Sequence, residues 1–193
     1  MFEYIKGDIV ELTPASVVME NQGIAYFINI SVNTFSQLTG AKSAQLFLHQ
    51  VVREDAHLLF GFAQKHEREV FRALISVSGV GANTGRMMLS SLTSAEIQSA
   101  IANGSVDTLK GVKGIGIKTA QRIIIELKDK LVKGVESEQI ILSQDNTLKE
   151  EALSALVMLG FAKNSVVKVL DKILSKEADH SVESLIKRAL KSL

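Results

Sequence analysis

The sequence predicts an α+β chain of more than one domain: a five-stranded β-barrel, an all-helical segment, and a small three-helix unit. Three observations carry this reading. Residues 1–63 hold short apolar runs punctuated by turn signals at strand spacing. Residues 64–133 switch to helical periodicity. Within that segment one short pattern occurs twice, Gly79 and Gly114 standing 35 residues apart, as do Gly81 and Gly116.

The barrel elements follow in order. Met1 to Thr13 alternates loosely, with Ile5, Ile9, Val10 and Leu12 apolar, and Pro14 marks a turn. Ser16 to Glu20 is a short strand, Asn21-Gln22-Gly23 a hairpin connection, and Ile24 to Ile30 the next strand. Thr34 to Leu38 fits one helical turn, and Gln45 to Val52 and His57 to Phe62 are two more strands. Five strands and one turn of helix in so short a span fit a small closed barrel of OB type. The last two strands are joined by Arg53-Glu54-Asp55-Ala56. A charged hairpin tip is an ordinary polar turn. Ahead of a basic segment, though, the Glu54-Asp55 pair would repel the phosphates which that segment attracts, and could direct where strands go.

In the helical segment, Val70, Phe71, Leu74 and Ile75 give one face to a helix over Glu67 to Val77, and Asn83 to Leu92 forms the next. Thr93-Ser94-Ala95-Glu96 has capping-box spacing and opens a helix that ends at Asn103-Gly104. Ser105 can cap a turn leading to Leu109. Ile117 to Val132 is the longest helix, with Ile123, Ile124 and Leu127 inward and Lys128, Lys130 and Lys133 toward its C-terminus, where the helix dipole favours cations. Residues 134–146 break the periodicity and read as a linker, although Ile140-Ile141-Leu142 is apolar enough to dock somewhere. Residues 147–193 then give three helices. Thr147-Leu148-Lys149-Glu150 is a second capping box ahead of Leu153, Leu156, Val157 and Leu159, Gly160-Phe161 closes that helix, Asn164 caps the second and Ser181 the third. A unit near the lower size limit for independent folding has little room for a catalytic pocket, so it reads as a docking module.

The repeated pattern is Val77-Ser78-Gly79-Val80-Gly81-Ala82-Asn83 in one copy and Val112-Lys113-Gly114-Ile115-Gly116-Ile117-Lys118-Thr119 in the other. Each ends an apolar helix, turns through Gly-hydrophobic-Gly and starts a new helix. The glycines permit positive φ and close approach of another backbone. Val80 and Ile115 can tuck inward as anchors, and the free N–H groups of the new helix favour an anion, phosphate being the obvious one. Arg122 lies one helical turn beyond Lys118, on the same face. Two better-known glycine motifs are excluded. Gly111 and Gly116 have Walker A separation, but Ile117 stands where that motif needs Lys. The dinucleotide fingerprint needs Gly at 84 or 119, and both are Thr.

Composition sets the outer bounds. There is no cysteine, hence neither a disulfide framework nor a Cys zinc site, and His49, His57, His66 and His180 show no ligand spacing. No catalytic residue, metal site or cofactor is indicated. No apolar run reaches membrane-spanning length and no signal segment stands at the start, so the cytoplasm is the expected location. The net charge of +1 is unevenly distributed. Residues 1–63 hold three basic and six acidic side chains, residues 64–133 eleven and six, and residues 134–193 eight and nine. The positive surplus sits on the segment with the doubled turn, as backbone binding of nucleic acid requires.

The doubled turn resembles the helix-hairpin-helix module, which grips DNA backbones through hairpin amides. Nearly the whole chain resembles the RuvA family, the junction-binding subunits of the bacterial branch migration complex. Val51-Val52-Arg53-Glu54-Asp55-Ala56 with Leu58-Leu59-Phe60-Gly61-Phe62 is similar to that family's acidic-pin strand pair. Gly79-Val80-Gly81 and the stretch from Gly114 to Arg122 resemble its two hairpins, and Leu156-Val157-Met158-Leu159-Gly160-Phe161 the start of its small UBA-like C-terminal domain.

The resemblance implies a homotetramer, in some cases two face to face as an octamer, that holds a four-way Holliday junction open and square during recombination, repair and the SOS response. DNA would meet Gly79, Val80, Gly81 and Asn83 in the first copy and Gly114, Ile115, Gly116, Lys118, Thr119 and Arg122 in the second. Glu54 and Asp55 would ring the centre. Leu156, Leu159 and Phe161 would contact the hexameric ATPase RuvB, and the resolvase RuvC would share the junction. Ala82-Asn83 stands where the family commonly has Pro-Lys, and Ile117 where it often has Lys, so a shallower salt dependence than in such relatives is expected. Two other classes stay open: a structure-specific nuclease subunit with Mg²⁺ on Glu54 and Asp55, and a scaffold whose hairpins only pack helices.

Overall fold

Apolar alternation produces β1 (Tyr4–Leu12), β2 (Ser16–Asn21), β3 (Ile24–Ile30), β4 (Ser43–Val52) and β5 (His57–Phe62), with α1 (Val32–Leu38) between the third and fourth. In this computed structural model the described residues are 2–139, 144–174 and 181–193, and described side chains stop at Lys128 and resume at Leu148. The strands close into a barrel in the order β1-β2-β3-β5-β4, with β4 returning to β1. Every pairing is antiparallel except β3 with β5, which is parallel because α1 and β4 intervene in the chain. Val17, Met19, Ile28, Ile30, Leu46 and Leu48 fill the interior together with Leu38 of α1. The predicted barrel is therefore present. Its small helix begins two residues earlier than expected, because the Ser31 side chain accepts from Thr34 N and caps it there.

The barrel does not end at a linker. Phe60 and Phe62 of β5 belong to the core of the helices that follow, their rings 5.3 and 4.9 Å from that of Phe71. Alternation puts Gly61 on the other side, against Ile28 and Leu46, where an added Cβ would lie 2.6 Å from Ile28 Cγ2. One strand thus serves two cores, and residues up to Gly134 form a single unit.

Five helices follow: α2 (Lys65–Ile75), α3 (Ala82–Ser91), α4 (Ser94–Ala102), α5 (Val106–Lys110) and α6 (Ile117–Gln139). The capping box at α4 is formed, with Glu96 N donating to Thr93 Oγ1 at 3.2 Å and Thr93 N to Glu96 Oε2 at 2.7 Å. Ser105 stands at the N-cap of α5, but its hydroxyl pairs with that of Thr108 instead of with a backbone amide.

Polar side chains fix α2 and α3 to the barrel. Glu67 is buried and accepts from Ser31 Oγ at 2.5 Å and Thr34 Oγ1 at 2.8 Å. Burial raises its carboxyl above the ordinary range, against those two hydrogen bonds. Arg68 is also buried, donates to Glu3 O at 2.8 Å and Glu3 Oε1 at 2.6 Å, and lies 5.4 Å from the centre of the Phe47 ring. That hydrogen bond holds the Glu3 carboxyl below its usual range. Arg86 of α3 donates to Ala15 O at 2.7 Å.

The second unit, Val135–Leu193, contains α7 (Gln144–Met158), α8 (Lys163–Leu174) and α9 (Val182–Leu190) around Ala152, Leu156, Val166, Leu170, Leu185 and Ala189. Three expectations change, one of them the capping box at Thr147, which lies inside α7 and not at its start. The segment read as a linker is largely helical, since α6 continues to Gln139 and α7 starts at Gln144. It contains no proline, and one glycine costs a helix only about 1 kcal/mol. The apolar Ile140-Ile141-Leu142 lies outside the described residues. Asn164 sits inside the first turn of α8, whose first amides donate to Ala162 O. Ser181 does cap α9, accepting from Ser184 N at 3.2 Å. Gly160, at φ +99°, ends α7 with Phe161 N donating to Leu156 O and Gly160 N to Val157 O. Among the described residues no helix is long and apolar enough to cross a membrane.

Candidate nucleic-acid interface

The two hairpins have the same backbone. Gly79 and Gly114 adopt φ +93° and +92°, a region that disfavours any side chain. The anchors Val80 and Ile115 are each 5% exposed, beside the buried Val77 and Val112. Val80 N donates to Val77 O and Ile115 N to Val112 O, both at 3.0 Å. Anchor amides are therefore used within each turn. The N–H groups of Gly79, Gly81, Gly114 and Gly116 have no backbone acceptor among the described residues. Gly81 is the N-cap of α3, and Gly116 precedes α6, accepting from Ala120 N; neither has a side chain to cap the first-turn amides. A Cβ built on any of these four glycines meets nothing within 4 Å. Each hairpin thus offers a patch of amide donors with open space in front.

Around this common frame the side chains differ. Asn83 and Lys118 occupy equivalent exposed positions, and Thr84 and Thr119 equivalent half-buried ones. Ala82 is buried, whereas its counterpart Ile117 is 58% exposed at the second turn. Lys113 is exposed where the first copy has Ser78. The repeat pattern does not mark Lys113 as a candidate, although the 35-residue offset places it beside the second turn. Arg122 does not point away from the protein alone: its Nη1 donates to Ser78 O of the first hairpin at 3.1 Å, and its Nε lies 4.0 Å from Glu126 Oε1.

The basic surplus of the helical segment is partly structural. Arg68 and Arg86 hold the barrel, and Lys110 pairs with Asp107 at 2.5 Å, lowering that carboxyl. Lys113 and Lys118 are exposed beside the second hairpin.

The acidic tip joins β4 to β5 in a four-residue loop closed by Arg53 N to Ala56 O at 2.8 Å. Glu54 and Asp55 are both exposed, without an ion-pair partner among the described residues. Among those residues there is also no group of three or more His, Cys, Asp or Glu side chains that could hold a metal ion.

In the C-terminal unit the three candidate contacts separate. Leu156 is fully buried in the unit's own core and cannot meet a partner directly, Phe161 packs half-buried against that core, and Leu159 is 61% exposed. The neighbouring Met158, which apolar patterning did not single out, is 86% exposed.

Three family models match successive parts of the chain: RuvA N terminal domain over residues 1–61, SAM-like helix-hairpin-helix tandem over 71–129, and RuvA C-terminal domain over 147–193. Among curated relatives, proteins named Holliday junction branch migration complex subunit RuvA are 51% identical in Christiangramia forsetii and 48% in Flavobacterium psychrophilum, and 47% in Bacteroides fragilis. Each alignment covers all of this chain and all of the relative. Barrel, doubled hairpin, C-terminal helices and full-length similarity agree, and the chain belongs to the RuvA family.

Proposed function

We propose that this chain binds four-way junction DNA by shape, as a homotetramer, and recruits the RuvB ATPase that drives branch migration. The observation that carries the reading is the pair of hairpins with matched backbones, unclaimed glycine amides and open space before them. Such donors meet phosphate without reading bases. Lys118 supplies charge at the second hairpin, Asn83 and Thr119 supply neutral donors, and Gly79, Gly81, Gly114 and Gly116 let the DNA backbone come close. Val80 and Ile115 act from beneath, as anchors. Glu54 and Asp55, exposed at the barrel tip, repel phosphates at the junction centre and keep strands apart. Tetramers stack as octamers where two faces are free, RuvC shares the open face, and the exposed Met158-Leu159 turn with Phe161 is where RuvB docks, over the buried Leu156. ATP hydrolysis belongs to that partner, and the site of action is the cytoplasm.

The deciding experiment is a competition gel shift near physiological salt, with labelled four-way junction challenged by excess duplex of the same sequence. The expected result is survival of the junction complex. Equal competition by duplex would reduce the chain to a general phosphate binder. A nuclease subunit would need several convergent carboxylates for a two-metal site, whereas the tip has two adjacent acids. Cleavage of the labelled junction in Mg²⁺ would revive that reading, and failure to bind any DNA at low salt would favour the scaffold.

A further inference from the structure

We propose that Arg122 is a positioning residue, not a phosphate ligand: by holding the Ser78 carbonyl it sets the first hairpin in register with the second. The inference rests on the doubled hairpin being a DNA-backbone clamp. Arg122 belongs to the helix that leaves the second hairpin, while Ser78 immediately precedes Gly79 in the first, 44 residues away. The 3.1 Å bond from Nη1 to Ser78 O therefore spans the two copies. Glu126, one turn further along α6, lies 4.0 Å from Nε and steadies the guanidinium from behind. Ser78 also follows the C-terminus of α2, where the helix dipole favours a cation.

The tie runs one way. The residue 35 positions before Arg122 is Met87, which cannot return the bond, and Lys113 replaces Ser78 in the second copy. A clamp on one duplex needs its two sets of amides at a fixed separation. Hydrophobic packing holds Val77 and Val80 on either side of the turn, while Ser78 and Gly79 between them are exposed, and Arg122 reaches Ser78 with a charged donor. Lys118, exposed on the same helix, then supplies the charge that Arg122 does not bring to the DNA.

The test measures junction affinity of the full chain as a function of salt. Each cation that touches phosphate contributes about 0.9 to the slope of log K against log salt, so Lys118→Ala should lower it by about 3.6 in a tetramer with one such contact per subunit. Arg122→Ala should instead weaken binding about tenfold with the slope unchanged. It should also be non-additive with Gly81→Ala in the first hairpin and additive with Gly116→Ala in the second. A slope reduced as in Lys118→Ala, with additive costs at both hairpins, would make Arg122 a direct phosphate ligand and overturn the proposal, as would unaltered affinity. Should the alanine variant not fold, Arg122→Lys decides. It keeps the charge but shortens the reach, so positioning predicts weaker binding at full slope, whereas direct contact predicts affinity near wild type. Absence of DNA binding by the unaltered chain would sink the clamp reading itself, a result distinct from either outcome for Arg122.

Discussion

The two hairpins share a backbone and differ in almost everything attached to it. Both turn at φ near +92° and both bury one aliphatic anchor to 5% exposure. The first is electrically quiet, with Ser78, Ala82 and Asn83 where the second has Lys113, Ile117 and Lys118. The first is also tied to its surroundings: α2 carries Glu67 and Arg68 into the barrel, α3 carries Arg86 to Ala15, and Ser78 accepts from Arg122. Glycine and anchor therefore specify the turn, while charge is free to vary. The copy with least charge of its own is the one held most firmly from outside.

Substitutions can break this comparison, and the largest effects should fall on the anchors. Ile115→Ala should cost about 2–5 kcal/mol of unfolding free energy by emptying a buried site. Val80→Ala should cost somewhat less, about 2 kcal/mol, in the same urea titration. Equal and negligible losses would mean that the turns stand without their anchors.

The glycines come next. Gly79→Ala and Gly114→Ala force a side chain into a left-handed conformation and should each cost about 1–2 kcal/mol. Gly81→Ala has an ordinary φ of −82° and open space, so stability should stay within about 0.5 kcal/mol. Junction affinity should fall nonetheless, because the new methyl occupies the path of the DNA backbone. Unchanged affinity would show that DNA does not approach there.

Charge can be moved between the copies. Asn83→Lys should steepen the dependence of log K on log salt by about 0.9 per subunit in contact, about 3.6 for a tetramer, giving the first hairpin what Lys118 gives the second. A flat response would place Asn83 outside the interface. The smallest effect concerns the barrel tie. Burial raises the Glu67 carboxyl, so its contribution to stability is fullest below the ordinary value of 4.5 and declines as pH rises through the higher folded value. Against a Glu67→Gln variant, wild type should thus lose relative stability between pH 4.5 and neutrality, read from denaturant midpoints. The opposite trend would mean that the Ser31 and Thr34 hydrogen bonds outweigh burial.

What was legible in the sequence was local. Strands announced themselves by alternation, and the hairpins by paired glycines, one of each pair at positive φ, reinforced by repetition. What escaped was pairing between distant residues or the phase of a helix end. Phe60 and Phe62 alternate like any barrel strand, and nothing nearby shows that their partner is Phe71. The tie of Arg122 to Ser78 O was hidden because that acceptor is a backbone atom 44 residues away. Leu156 and Leu159 looked alike as apolar residues. The helix α7 ends at Met158, so Leu156 is held on its core face while Leu159, past the helix end, is exposed. The charge split overstated the interface, since a count of cations does not separate Arg68 in the interior from Lys118 outside.

The bond from Arg68 to Glu3 has a consequence for how the protein is made. The two residues are 65 positions apart, and β1 pairs with both β2 and β4. A chain emerging from the ribosome N-terminus first displays β1 long before β4 exists to close the barrel. It cannot fasten the strand until α2 has also cleared the exit tunnel. The first strand is thus translated well before it is secured, and for that interval its edge is open to pairing with a neighbouring nascent chain.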